Sequence, residues 1–99
     1  MAEFRLTPAA LRDLEEIWLY TKQQWGIAQA ALYLDALNRA FEAMAQAPLS
    51  VPACENIRPG YRRRQVEHHA VYYRVEDGAV PMVTVVRVLH ERMDASRHL

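Results

Sequence analysis

Arg62, Arg63 and Arg64 are consecutive, and Arg58 and Arg74 flank them, with Glu67 the single acid between residues 58 and 74. Guanidinium groups grip phosphates and carboxylates through planar, paired N–H donors, so such a cluster suits an anionic partner or substrate. Alternate residues of a strand face opposite sides; if the run is a strand, Arg62 and Arg64 share one face and Arg63 takes the other. Arg74 and Arg87 are candidates to extend the basic patch across neighbouring strands. The same charge would also guard an exposed sheet edge against aggregation, a purely protective role. Arg87 is harder to read as surface charge. It lies within Val83-Thr84-Val85-Val86-Arg87-Val88-Leu89, and an arginine in so apolar a strand needs a partner.

His90 ends that strand and could exchange protons near neutral pH, as RNA cleavage would require, although such a histidine more often only hydrogen-bonds the strand end. His68-His69 beside Glu67 hint at a metal. Adjacent strand residues diverge, however, so no metal site is expected there. Cys54 is the only cysteine, which excludes a disulfide within the chain, makes a reducing cytosol the default compartment and leaves an inert thiol as the expectation. Trp18, Trp25, Tyr33 and Phe41 could form a binding face, but helical spacing makes the two tryptophans and Phe41 core residues first. Tyr72-Tyr73 puts one ring on each side of the sheet, leaving room for one buried and one exposed ring.

Twelve basic and twelve acidic residues cancel, which argues against a protein that coats nucleic acid through bulk charge and leaves the arginine cluster as a local imbalance. A chain of 99 residues with 52% hydrophobic residues is enough for one domain with a real core. The N-terminus lacks the apolar run of a signal peptide, and no apolar stretch approaches the roughly 20 residues needed to span a bilayer. A soluble intracellular protein is therefore expected.

The elements that must position these residues follow in order. Phe4-Arg5-Leu6-Thr7 alternates like a short strand, and Thr7-Pro8 supplies a helix cap followed by proline at the first helical position. Leu11, Leu14, Trp18 and Trp25 recur as one helical stripe, with Asp13, Glu15 and Glu16 near the helix start, where negative charge suits the dipole. Gly26 interrupts the pattern. A second stripe runs through Ile27, Ala30, Ala31, Leu34, Leu37, Phe41, Met44 and Ala45, and Pro48 marks its end. The two helices should pack as an antiparallel hairpin, and Ala36, Ala40, Ala43 and Ala47 leave room for a close neighbour. Residues 48–59 read as a surface loop. Tyr61–Val66, Ala70–Val75 and Val83–Leu89 read as strands, with turns near Glu67-His68 and Asp77-Gly78. The expected fold is α+β, β-α-α-β-β-β, with the hairpin on a small, mostly antiparallel sheet that the first strand joins at an edge. The last eight residues are too short to classify.

Phe4-Arg5-Leu6-Thr7-Pro8, Asp13-Leu14-Glu15-Glu16-Ile17-Trp18 with Tyr20, and Trp25-Gly26 resemble the start of ParE toxins of the RelE/ParE superfamily. Pro59-Gly60-Tyr61-Arg62-Arg63 and His69-Ala70-Val71-Tyr72-Tyr73-Arg74-Val75 are similar to the family's middle strands, and Val86-Arg87-Val88-Leu89-His90 with Met93-Asp94 and His98-Leu99 to its C-terminal signature. The resemblance implies a RelE-like fold and a toxin neutralised by a ParD-type antitoxin. That partner's C-terminal segment would fold into an apolar groove between hairpin and sheet, where Trp18, Trp25, Tyr33, Leu37, Tyr72 and Tyr73 are the candidate contacts. It further implies a poison of DNA gyrase with no active site and no cofactor of its own. Arg62, Arg63, Arg64, Arg74, Arg87, His90, Met93, Asp94 and His98 would then be target contacts. The rival within the superfamily is a ribosome-dependent messenger-RNA nuclease of RelE type, for which Arg64 (or Arg63), Arg74, Arg87 and His90 would be catalytic. Against it, the chain has a single lysine, Lys22, and lacks the C-terminal tyrosine of those nucleases. A third possibility is a non-toxic remnant that only binds an antitoxin.

Overall fold

Thr7 and Pro8 divide the first strand from the first helix. In the computed structural model, which describes residues 3–49, 53, 57–76, 78–79 and 81–99, β1 spans Glu3–Leu6 and α1 spans Pro8–Trp25. The Thr7 hydroxyl accepts from the Ala10 N–H at 3.1 Å, and Pro8, which has no N–H to leave unsatisfied, occupies the first turn. Gly26 stands at φ +91°, a conformation that side-chain-bearing residues rarely adopt; its N–H closes α1 onto the Lys22 carbonyl at 2.9 Å, and α2 (Ile27–Gln46) starts directly after it.

Three further strands follow: β2 (Tyr61–Val66), β3 (His69–Glu76) and β4 (Met82–His90), then a one-turn helix α3 (Ala95–His98). The sheet order is β1-β4-β3-β2, with β4 antiparallel to β3, β3 antiparallel to β2, and β1 parallel to the outer edge of β4. This is the expected α+β architecture. The β2–β3 turn falls at Glu67-His68 as anticipated, with Glu67 at φ +51°. Asp77, Cys54 and half of the 48–59 loop lie outside the described residues; of its middle, Ala53 is described, in a bridge with Arg62.

The main core lies between the hairpin and one sheet face: Ala10 and Ile17 of α1, Leu37, Phe41 and Met44 of α2, and Val71, Tyr73, Val83, Val85 and Val88 of the sheet. Val85 and Val88 can both face the helices because Tyr72 pairs with Arg87 and Tyr73 with Val85, so Val86 is an extra residue and the side-chain alternation resets. The other sheet face is covered by Ile57 and the C-terminal segment, where Ala70, Tyr72, Leu89 and Ala95 cluster with Leu99.

Two expectations about α1 require correction. Its buried stripe is Ala10, Asp13, Ile17 and Thr21 rather than Leu11, Leu14, Trp18 and Trp25; Leu11 and Trp25 are exposed and Trp18 half-buried, while Leu14, also half-buried, does pack against the core. The helix is turned so that Asp13 reaches β4, and Asp13 is therefore a buried group rather than a charge beside the helix start. On α2, Ala30, Leu37, Phe41, Met44 and Ala45 are buried as expected, whereas Ile27 and Ala31 are exposed. Neither tyrosine of the Tyr72-Tyr73 pair is exposed, because the C-terminal segment covers the face onto which Tyr72 points.

Candidate functional site

β1 pairs with β4 only from Met82 to Val85, so the outer edge of β4 loses its strand partner at Val86. Side chains take over from there. The Thr7 hydroxyl donates to the Val86 carbonyl at 2.7 Å, and the Asp13 carboxylate accepts the Val88 N–H at 2.9 Å. Arg87 closes on the same carboxylate in a two-pronged pair, Nε to Oδ2 at 2.8 Å and Nη2 to Oδ1 at 2.9 Å. Asp13, only 7% exposed, thus satisfies an orphan backbone donor and a strand arginine together. The Asp13 hydrogen bonds raise the Arg87 pKa above its ordinary value. Arg87 Nη1 also donates to the His98 carbonyl at 3.2 Å, which ties α3 to the sheet.

Beside this pair runs a groove of about 700 Å³ between α1, α2, the β2–β3 turn and the end of β4. Ile17, Tyr20, Trp25 and Leu32 supply its apolar wall, and Arg87, Val88, His90 and Met93 its sheet side. Trp25 is 65% and Leu32 61% exposed, and Tyr20 stacks edge-on against Trp25 with ring centres 6.2 Å apart. Large apolar side chains left open in one concave strip make this groove the candidate interaction surface of the described residues.

The floor of the groove is polar and ordered. The Tyr33 hydroxyl accepts from the His68 N–H at 3.2 Å and shares a second hydrogen bond with His69 Nδ1, 2.5 Å away. Burial, reinforced by neighbouring His90 and His68, lowers the His69 pKa to about 4, and burial raises that of Tyr33. Both are neutral near pH 7. The His90 ring meets His69 edge-on at 5.3 Å, and its Nδ1 accepts from the Arg92 N–H at 3.1 Å. His68 turns away from His69, toward Glu91 at 3.3 Å, so the adjacent histidines diverge.

Residues 4–95 match the family model described as the ParE toxin of type II toxin–antitoxin system, parDE. The chain belongs to the ParE toxin family. Toxin ParE1 of Mycobacterium tuberculosis (strain H37Rv) is 44% identical over 98 residues, covering 99% of this chain and 98% of that protein. Toxin ParE1 of Caulobacter vibrioides is 41% identical over 99 residues, 100% of this chain and 99% of its own. Among solved structures, a chain of the chromosomal ParDE system from P. aeruginosa superposes with a TM-score of 0.77 at 17% identity, covering 91% of this chain and 96% of its own. The YoeB/ParE toxin from Agrobacterium tumefaciens follows at 0.65 and 16%, covering 89% and 96%. These last two likenesses concern the fold alone.

Within this ParE fold the residues singled out from sequence separate into groups. Trp25 and Tyr33 line the groove. Trp18 is half-buried outside it, while Leu37 and Tyr73 are fully buried and Tyr72 is sealed under the C-terminal segment, so these three are packed into the interior rather than lining the groove. Arg62 and Arg64 pair with Tyr73 and Val71 and so share the helix side of β2, and Arg63 takes the opposite side, as the alternation required. The basic patch is not continuous. Arg74 is held by Glu76 at 3.2 Å, and Arg5 bonds the same carboxylate, whose pKa these arginines lower. Arg87 is held by Asp13. Arg74 pairs with Thr84 and His90 with His69, which sets them six residues or roughly 20 Å apart along β4. Met93 joins the groove wall; Asp94 caps α3, its carboxylate accepting from the Ser96 N–H at 3.1 Å; and His98 is exposed. Sequence reasoning missed Asp13, Tyr20 and Leu32. For Asp13 a signal existed: an acid midway between Ala10 and Ile17 on a helical stripe, and an arginine elsewhere in want of a partner.

Proposed function

We propose that this ParE-family toxin acts without an active site of its own, poisoning DNA gyrase, and that a ParD-type antitoxin neutralises it by laying its C-terminal segment into the groove beside α1 and α2. The observation that carries the antitoxin half is the open apolar strip of Tyr20, Trp25 and Leu32 above a polar floor, a surface suited to coupled folding and binding. The non-catalytic half rests on the scattering of Arg64, Arg74, Arg87 and His90: two of the arginines are engaged by carboxylates, and Arg74 of β3 and His90 of β4 stand toward opposite ends of the β3–β4 ladder. Phosphoryl chemistry needs its cationic and proton-transfer groups within hydrogen-bond reach of one reacting atom. Arg62, Arg63 and Arg64 on the edge strand, with the C-terminal segment of Met93, Asp94 and His98, are then contact surfaces. Because His90 and Met93 also line the groove, an antitoxin seated there covers part of the target surface, and neutralisation follows from occlusion.

The test is a supercoiling and cleavage assay with purified gyrase, ATP, plasmid and antitoxin-free protein. Accumulation of linear, gyrase-linked DNA that antitoxin reverses is the expected result; no effect from folded protein overturns the gyrase reading. One observation favours a second reading, the RelE-type nuclease: Tyr33, His69 and His90 form a proton-bearing row in the same groove. Ribosome-dependent cleavage of messenger RNA that is lost in His90→Ala would move the assignment there.

A further inference from the structure

Past the β2–β3 turn the groove does not close. A second depression of about 370 Å³ continues between α2 and β2, lined by Ala36, Arg39, Ala40, Arg64, Val66 and Glu67, and it shares Ala36 and Glu67 with the first. The two adjoin along α2, whose residues Gln29, Leu32, Tyr33 and Ala36 line the first and Ala36, Arg39 and Ala40 the second. The apolar wall and the basic end are therefore roughly 10 Å apart, seven residues of helix from Leu32 to Arg39.

The charges of that basic end are unevenly matched. Arg39 is exposed and pairs with Asp35 of its own helix at 2.9 Å. Glu67 lines the crevice but forms no ion pair with either arginine among the described residues, and its carbonyl is taken by Gln65. Arg63, on the opposite face, bonds Gln65, and Arg74 and Arg87 have carboxylate partners. Arg64 is half-buried and, among the described residues, its guanidinium has no hydrogen-bond or ion-pair partner. A half-buried guanidinium keeps much of its desolvation cost until an anion meets it, and a carboxylate fits its donors in a two-pronged pair.

We infer that the α2–β2 crevice is the acid-accepting end of the docking channel: the antitoxin segment that sets apolar side chains over Trp25 and Leu32 places an aspartate or glutamate side chain about 10 Å further on, between Arg39 and Arg64. This rests on the antitoxin reading above and adds to it the chemistry and position of a second anchor. The acid gives the segment its direction, since an apolar strip alone accepts a peptide in either sense.

The experiment measures the affinity of the full chain for a labelled peptide of the C-terminal segment of the ParD-type antitoxin encoded beside it, with thermal unfolding of each variant as a check on folding. Arg64→Glu should weaken binding about tenfold or more, while Arg64→Lys retains most of it. Changing one acidic residue of the peptide to lysine should restore binding to Arg64→Glu while weakening it to the unaltered chain. Leu32→Asp, on an exposed helix position, reports on the apolar groove separately. If Leu32→Asp abolishes binding and Arg64→Glu leaves it unchanged, the acid anchor is wrong and the groove reading stands. A loss in Arg64→Glu that no acid-to-lysine change restores also overturns the anchor. If neither variant changes affinity, the groove reading falls and the anchor with it.

Discussion

Replacing Asp13 by alanine removes three hydrogen bonds at once: two from Arg87 and one from the Val88 N–H. Hydrogen bonds to charged groups each contribute about 1.5–3 kcal/mol, and a buried N–H left without an acceptor costs about 1–3 kcal/mol. Arg87 can recover part of its hydration, since 22% of its side chain remains exposed. That relief places the expected loss near about 3 kcal/mol, the lower end of what breaking a buried pair costs. For a domain whose whole stability is about 5–15 kcal/mol this is a large fraction, equivalent to roughly 15 °C in Tm. Asp13→Asn keeps one oxygen for Val88 but turns N–H donors toward the guanidinium, and should lose about 2 kcal/mol. The assay is urea unfolding at pH 7, with the slope checked for constancy so that a changed midpoint reports stability. Arg87→Met strands the carboxylate with the Val88 N–H alone. The double variant Asp13→Ala/Arg87→Met should therefore fall short of the sum of the singles by about 1 kcal/mol or more. An additive double mutant, or an Asp13→Ala loss under about 1 kcal/mol, would refute the claim that this carboxylate closes the β4 edge.

Three further outcomes follow from the same geometry. His69 has a folded-state pKa of about 4 against 6.5 in its ordinary state. The unfolded chain takes up that proton first, so the contribution is complete above pH 6.5 and is lost as pH falls toward 4; after solvent screening about 1–2 kcal/mol should disappear in that window, and His69→Gln should flatten the decline in a pH series of unfolding curves. Trp25→Ala should leave unfolding within about 0.5 kcal/mol while weakening antitoxin binding, whereas Phe41→Ala, in the core, should cost about 3–5 kcal/mol; similar losses in both would contradict the placement of the two rings. Replacing Arg62, Arg63 and Arg64 together by alanine should cut gyrase inhibition far more than stability, expected to move by about 1 kcal/mol; gyrase assays beside thermal melts decide it.

The helices, the meander of the last three strands and the Thr7-Pro8 and Gly26 boundaries were legible because each rests on short-range periodicity, a short turn or a local cap, whereas the pairing of β1 with β4, between residues 79 positions apart, was not. The orientation of α1 was not. Trp18 and Trp25 carry far more apolar surface than Ala10 and Thr21, yet the helix turns the smaller residues inward, together with Asp13, whose partners lie 74 and 75 positions away. Arg87 was recognised as needing a partner, but nothing local to it pointed to Asp13. The groove was invisible for a related reason: Trp25 looks like core until α1 has been rotated, and Leu32 lies off the α2 stripe that packs inward. The burial of Tyr72 depended on a C-terminal segment too short to classify from sequence.

The site and the fold meet at the shortness of β1. Had that strand continued past Leu6, it would have paired with Val86 and Val88 and taken the space where α1 now approaches β4. Thr7 stops it by capping a helix, and Pro8 makes the stop firm because it brings no N–H to a ladder. The edge left open is then closed by side chains: Thr7 to the Val86 carbonyl, Asp13 to the Val88 N–H. An edge closed in this way cannot recruit another strand at Val88, so a chain docked beside it would bind through the side chains there rather than through backbone pairing at that edge. Those side chains are Tyr20, Trp25 and Leu32 on the helices and His90 and Met93 on the sheet side. The device that holds β4 in place thus also leaves the groove presenting side chains rather than an open backbone edge. Asp13→Asn should accordingly loosen β4 and the antitoxin complex together, while Leu32→Asp should break the complex and leave the unfolding curve where it was.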